Sequence, residues 1–535
     1  MRLSPGAPPA AVGGGPASEA DDARWSISVV FSFALIVGAY FTFRFSGRWV
    51  EGDTASQADN IRAMIRDMTI LSPSGVLYSN GYAFSAVSTF IVAFTGVKIE
   101  TLLELIYPLV SATLVLVAWP VYREFTGSAR AATVATLILF VQPEFLFVIL
   151  RGSHERVLRV FLLLSMWLLL RSFRHADKTP LYATYVFLFY LTVYGTIATN
   201  SWFGSSYVWA LATALVGSWV ARWLGPGLRP VSLSTQRRLL YVPIFAGVLA
   251  FLFNSYIYPP SGQTLGQIPS ILDRLSRLML TTSPDPSTTR YNAYAAIFDQ
   301  WVDIRVYFLL SLGTYLLLAG SAALWIRMGL RWLAGVGDRP TLGRWLLWLL
   351  YGASALQGAM SVVADNAGML GGNLQYRSFP TFVMMASPIV AIGLTEWRPK
   401  PRTRVLASGA LGILALLGIA KATNDPAVSN GWSFYLPSEV SALRFLGDYM
   451  KEGQLYWSDF DERLRALRIL VNASNLTPTL DPNAVGLRTY LISDIIRARA
   501  ARLGRPVPPV TGELRIYDDG DVQIYRKRAL TPYQD

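Results

Sequence analysis

The chain has no cysteine, only two histidines (His154 and His175), and charged side chains at just 15% of its 535 positions. Without cysteine there is no disulfide framework, no thiolate metal site and no cysteine nucleophile. Two histidines also exclude a multi-histidine metal centre. Charge this sparse, with 53% hydrophobic residues and a mean hydropathy of +0.37, argues against a soluble multidomain protein on class statistics. Any chemistry must rest on carboxylates, arginines, amides and hydroxyls.

Long apolar runs are what the sequence does have. Crossing a bilayer takes roughly 17–25 residues. Runs near 26–45, 100–121, 131–150, 157–172, 180–199, 202–222, 238–256, 305–327, 344–364, 378–397 and 403–421 meet or approach that length, giving about eleven membrane helices. The opening residues, 1–25, are rich in Pro, Gly and Ala and read as a disordered cytoplasmic tail, with the first apolar run kept as an anchor. The net charge of +13 concentrates in alternate connections, those carrying Arg123 and Arg130, Arg171 and Arg174, Arg237 and Arg238, Arg331 and Arg339, and Arg398 and Arg402. Retained positive charge marks the cytoplasmic side, so the surplus is a topology signal and no nucleic-acid partner is expected. An odd number of spans then leaves the first loop (46–99), a second long loop (257–304) and everything after 425 on the outer face of a multi-pass cell-membrane protein.

Residues 425–535 change composition and read as a small extracytoplasmic α/β domain. "PSEVSALRFLGDYM" reads as an amphipathic helix capped by Ser438, "QLYWSD" and "RTYLIS" as short strands, and "GELRIYDDGDVQIYRKR" as a hairpin turning at Asp519-Gly520. Two sequons begin at Asn472 and Asn475.

Chemistry-bearing residues gather in the outer connections. "GRWVEGDTASQADNIRAMIRD" sets Glu51 and Asp53 just beyond the first span, where a carboxylate can accept a hydroxyl proton or hold a divalent cation. An acid pair flanking a helix end has the same appearance. Behind it, Ile61, Met64, Ile65 and Met68 share one face of a helix suited to the membrane interface. "GYAFSAVSTFIVAFTG" follows, a helix too short to span and suited to a re-entrant or interfacial place. "LRGSHERVLRV" packs Arg151, His154, Glu155, Arg156 and Arg159 into one turn, where charges either snorkel to headgroups or serve a site. Glu144 lies inside a span beside Pro143, which makes it either functional or the buried partner of a cation. "NLQYRSFPTF" places Tyr376 and Arg377 where the chain re-enters the membrane, as interfacial anchors or as phosphate ligands. The second long loop adds Asp273, Arg274, Arg277, Asp299, Trp301 and Asp303 without assignable roles.

The order of these parts resembles the GT-C superfamily of integral-membrane glycosyltransferases. The resemblance covers residues 26–400 and rests on the first-loop E-G-D acids, the interfacial helices, the "FTG" punctuation at Phe94-Thr95-Gly96 and Phe125-Thr126-Gly127, and the R-x-x-P-like Arg377 to Pro380. It implies an inverting transferase that moves a sugar from a polyprenyl-phosphate-linked donor to a glycan, lipid or protein acceptor at the outer face, among membrane lipid. By that resemblance Asp53 is the leading catalytic base and Glu51 the second, and Glu155 is the second acid facing the first loop. Arg377, Tyr376, Arg151 and His154 then attend the donor phosphate. The E-x-D spacing suits Mg2+ or Mn2+, while lipid-monophosphate donors in the superfamily often need no metal. An oligosaccharyltransferase-like subunit is the near alternative, although its W-W-D-x-G element is missing and "LYWSDFD" only echoes it. A transporter or flippase for a lipid-linked sugar is the alternative of another class, and neither an internal repeat nor a midplane polar cluster favours it.

Overall fold

The protein was analysed as a computed structural model that describes residues 16–70, 78–228, 232–262, 304–336, 339–366, 374–397, 400–423, 433–450, 454–457, 463–473, 477–479, 481, 484–503 and 506–527. Most of the second long loop, with Asp273 to Asp303, therefore lies outside the described residues, as do Asn475 and residues 367–373.

Lipid forces each crossing segment to satisfy its own backbone polar groups, so the apolar runs become helices. These are α1 (Pro16–Phe45), α4 (Ile99–Thr126), α5 (Ala129–Leu139) with α6 (Pro143–Leu150), α7 (Glu155–Arg174), α8 (Thr179–Thr199), α9 (Ser201–Leu224), α10 (Leu233–Leu252), α11 (Ile304–Leu310), α12 (Leu312–Leu333), α13 (Leu342–Asn366), α14 (Leu374–Glu396) and α15 (Pro401–Thr423). Among the described residues eight helices are long and apolar enough to cross a membrane, and the bent pair α5–α6 makes a ninth. The helices α7 and α9, of 20 and 24 residues, also have spanning length.

Two of the expected spans are more irregular than their composition indicates. The run 131–150 is not one straight helix: Phe140–Gln142 break it, Pro143 restarts it, and the halves meet at 74°. In α4 the ladder passes through a π turn at Leu102–Ile106 and a 3-10 turn at Ser111–Leu114. Glu144, just past the break, accepts from Lys421 Nζ at 2.9 Å and Thr314 Oγ1 at 2.9 Å, so its partner is a lysine of the last span.

The first loop contains β1 (Trp49–Val50), α2 (Gly52–Asp67) and the short apolar α3 (Ala83–Thr95). After the last span come β2 (Ser433–Phe434), α16 (Pro437–Tyr449), β3 (Leu455–Trp457), α17 (Arg463–Leu470), β4 (Thr477–Thr479), β5 (Thr489–Ser493), α18 (Asp494–Leu503), β6 (Leu514–Asp518) and β7 (Val522–Arg526). Five of these strands form a sheet in the order β4-β3-β5-β7-β6, parallel between β4, β3 and β5 and antiparallel across β5, β7 and β6. The hairpin β6–β7 turns at Gly520, whose φ of 94° is open to glycine at little steric cost. Ser438 is not the cap of α16: Pro437 occupies the first turn, and Glu439 reaches back to the Leu436 N–H at 2.9 Å.

The loop and the domain share one core. Val50, Ala55, Ile61 and Leu103 pack in a single cluster with Leu443, Tyr456 and Leu491. Strand β1 pairs antiparallel with β2, Trp49 opposite Phe434. Arg62 of α2 donates to the Ile469 carbonyl at 2.8 Å and to the Leu470 carbonyl, capping the C-terminus of α17, and pairs with Glu100 at 2.7 Å. Thus α2 is held between α3 and the C-terminal domain instead of lying open on lipid. Met68 departs from the expected apolar face: it closes α2 in the left-handed region and is exposed.

Candidate active site

Immediately after β1, Glu51 takes the extended backbone of an N-cap. Its carboxylate accepts from the Asp53 N–H, the Thr54 N–H and Thr54 Oγ1, each at 3.0 Å, satisfying two of the orphan donors at the start of α2. Asp53 sits in the first turn of the same helix, where the helix dipole favours a negative charge.

The turn 151–154 between α6 and α7 supplies the counter-charge. Arg151 reaches Glu51 at 3.1 Å, Asp53 at 3.1 Å and Glu155 at 2.9 Å. The other oxygen of Glu155 accepts from Arg159 at 2.7 Å, and Arg159 also donates to Thr381 on α14 at 2.5 Å. A continuous polar chain therefore runs from the first loop through α7 to α14. Close approach of the turn depends on Gly152, where an added Cβ would stand 2.8 Å from the Leu103 carbonyl oxygen and 2.9 Å from the Thr54 methyl.

Exposure separates the two acids. The Glu51 side chain is 9% exposed and that of Asp53 is 39%. Burial pushes the Glu51 carboxyl above its ordinary range against the pull of Arg151, with Asp53 adding repulsion. Burial opposes the Arg151 charge as well, but the carboxylates around it prevail and hold it above the ordinary arginine value. Asp53 is the carboxylate of the pair that keeps a face to water.

His154 lies beneath this chain, fully buried, with Nε2 at 3.1 Å from Tyr78 Oη and 2.9 Å from Asn200 Nδ2, which also donates to Tyr78 at 2.6 Å. Burial lowers its pKa to about 4, so the ring is neutral near pH 7. Arg151 Nε, Ser153 Oγ, His154 Nδ1, Arg156 Nη1 and Arg159 Nε are buried without a hydrogen-bond partner among the described residues. These unanswered polar atoms lie in the 151–154 turn and the first two turns of α7, and water or a polar ligand would satisfy them.

Of the residues singled out from the sequence, Asp53, Glu51, Arg151 and Glu155 thus meet directly, with His154 adjacent. Arg377 does not join them among the described residues. It is exposed in the first turn of α14, four residues ahead of Thr381 and so about 6 Å along the axis from the Arg159 contact. Tyr376 lies in the same turn. Tyr78, Thr54, Asn200 and Thr381 were not singled out; their only sequence signal is a polar residue next to a turn or a span end.

The carboxylates do not fit a divalent cation as they are arranged. Arg151 stands between Glu51 and Asp53 where Mg2+ or Mn2+ would need to be, and the Glu51 oxygens already take three α2 donors. Among the described residues no group of three or more acidic or histidine side chains is disposed to hold a metal ion.

No family model and no curated protein matches the sequence. Solved structures do. The apo oligosaccharyltransferase of Archaeoglobus fulgidus is similar with a TM-score of 0.53 at 12% identity, over 88% of this chain and 69% of that one. The archaeal oligosaccharyltransferase AglB from Archaeoglobus fulgidus, in complex with an inhibitory peptide and a dolichol-phosphate, is similar with a TM-score of 0.51 at 11% identity, over 90% and 70%. ArnT from Cupriavidus metallidurans bound to undecaprenyl phosphate aligns over 94% of this chain and 98% of that one, with a TM-score of 0.44 at 14% identity. The two oligosaccharyltransferase likenesses carry the conclusion: this multi-pass membrane chain, with its small C-terminal sheet, is folded like these oligosaccharyltransferase structures.

Proposed function

We propose that the chain is an inverting glycosyltransferase that moves a sugar from a polyprenyl-phosphate-linked donor to a hydroxyl-bearing acceptor at the membrane face carrying the C-terminal domain. The observation that carries this reading is Asp53, a half-open carboxylate at the membrane edge, oriented by a buried arginine that three carboxylates hold. Asp53 takes the acceptor hydroxyl proton as the oxygen attacks the anomeric carbon. The bond from that carbon to the phosphate oxygen breaks, and polyprenyl phosphate leaves with the electron pair. A single displacement of this kind inverts the anomeric centre.

In this scheme Glu51, Arg151 and Glu155 position Asp53. The developing phosphate charge is assigned to Arg377, with Tyr376 beside it. Its support is the exposure of Arg377 and its place one turn from the end of the Arg159 chain. Dolichol-phosphate in one similar structure supports a polyprenyl-phosphate donor. The face is proposed as the extracytoplasmic face of the cell membrane, from the alternation of basic connections.

Transfer of an oligosaccharide to a peptide is the second reading, favoured by the oligosaccharyltransferase likenesses. Against it, Trp457 of the "LYWSDFD" echo is buried in β3 and not presented to a peptide. Purified protein in lipid nanodiscs, supplied with a panel of polyprenyl-phosphate monosaccharides and with a lipid-linked oligosaccharide plus a sequon peptide, tests both. The proposal expects free polyprenyl phosphate from one of the monosaccharide donors. Turnover of the oligosaccharide donor alone establishes the second reading, and no turnover of any donor contradicts both.

A further inference from the structure

The far end of α7 carries a second charged feature that the proposed reaction does not use. Helix α7 begins at Glu155 in the candidate site and ends at Arg174, 20 residues later. At 1.5 Å per residue that is about 30 Å, one hydrocarbon thickness. Between the ends of α4 and α7 lies a cavity of about 600 Å3, lined by Trp119, Arg123 and Glu124 of the first helix and Trp167, Arg171 and Arg174 of the second.

Three guanidiniums face one carboxylate there, a local charge of 3 − 1 = +2. Glu124 answers Arg171 and Arg174 and ties the two helices together. Arg123 lies outside that pairing, 5.6 Å above the Trp119 ring, and Arg171 rests 5.2 Å over Trp167. Arg171 Nε is buried with no hydrogen-bond partner among the described residues. Arginines kept only to orient a span need water around them and nothing more. These instead line a cavity, two of them rest on tryptophan faces, and one leaves a buried donor unanswered.

We propose that this cavity binds a phosphate group at the membrane face opposite Asp53. Arg123, Arg171 and Arg174 supply the charge-assisted hydrogen bonds, and the two tryptophans form the walls. The phosphate belongs to the headgroup of an anionic lipid or to a free phosphoester from the adjoining solution; basic pockets between spans suit the former.

The test uses the delipidated full-length protein. Native mass spectrometry measures retention of phosphatidylglycerol against phosphatidylcholine, and thermal shift measures the response to inorganic phosphate. Wild type is expected to retain phosphatidylglycerol in preference, and the Arg123→Gln/Arg174→Gln pair to weaken that retention by about tenfold or more. Arg123→Lys, which keeps the charge, retains most of the preference. Arg402→Gln, at an exposed arginine of α15, leaves it unchanged. Stabilisation by inorganic phosphate that the double variant abolishes, without lipid preference, assigns the site to a free phosphoester. Lipid retention and phosphate response that are the same in wild type and in the double variant overturn the proposal. If the double variant does not fold, Arg123→Gln alone decides, because Arg123 takes no part in the Glu124 ion pairs.

Discussion

Arg151 is the residue on which the candidate site turns, since its one positive charge bridges three carboxylates that would otherwise repel one another in a poorly hydrated place. Replacing it with Met removes the cation and leaves Glu51 and Glu155 buried without it. The expected cost is about 3–5 kcal/mol, read as a fall in melting temperature together with lost activity. His154 makes the opposite kind of statement, because it is buried neutral. Burial holds its pKa at about 4, below the ordinary histidine value of 6.5. The neutral ring therefore contributes stability that is fully present above pH 6.5 and is lost as pH falls through about 4, to the extent of about 3 kcal/mol. Melting temperatures of wild type should drop across that window, and His154→Gln should flatten that part of the profile. An unchanged slope in the variant would remove His154 from the account. These groupings could not be read from one sequence, since the bond between Arg151 and Glu51 closes 100 positions of chain. What the sequence did carry was the residue types at each turn: an E-G-D after a span and an arginine-rich turn between two spans.

At the scale of elements, the site depends on how tightly the 151–154 turn seats against α2 and α4. Gly152→Ala drives a methyl into the Leu103 carbonyl oxygen and the Thr54 side chain. The expected result is about 1–3 kcal/mol of lost stability and a larger fractional loss of transfer, because the displaced turn carries Arg151 away from Asp53. Retained transfer in a destabilised Gly152→Ala protein would show that the seating is structural only. The spans were legible because lipid leaves a long apolar run no option but helix. The break at Phe140–Gln142 was not, since an apolar composition continues through it and only Pro143 marks the restart. The hairpin at Asp519-Gly520 was legible from turn chemistry, whereas the start of α16 was misread because Glu439 caps from inside the helix and Ser438 had drawn attention instead.

For the whole molecule, the C-terminal domain is fastened to the membrane half close to the site. Tyr435 donates to the Glu104 carboxylate at 3.0–3.1 Å, and the Trp49 indole donates to the Glu104 carbonyl at 3.2 Å, two residues before Glu51. Tyr435→Phe leaves that buried carboxylate without its donor at an expected cost of about 1–3 kcal/mol. Limited proteolysis should then release the domain faster than from wild type; equal rates would place the fastening elsewhere. The sequence showed the domain and its strands but not that it shares a core with the first loop, because that core joins apolar residues nearly four hundred positions apart, Val50 and Leu443 among them. The central claim is that Asp53, held by Arg151, takes the proton in sugar transfer from a polyprenyl-phosphate donor. The direct measurement is the rate of polyprenyl-phosphate release by purified wild type and by Asp53→Asn at equal folded concentration, with the melting temperature of each. The account predicts a loss of about a hundredfold or more in Asp53→Asn with a well-folded protein; an undiminished rate would contradict it.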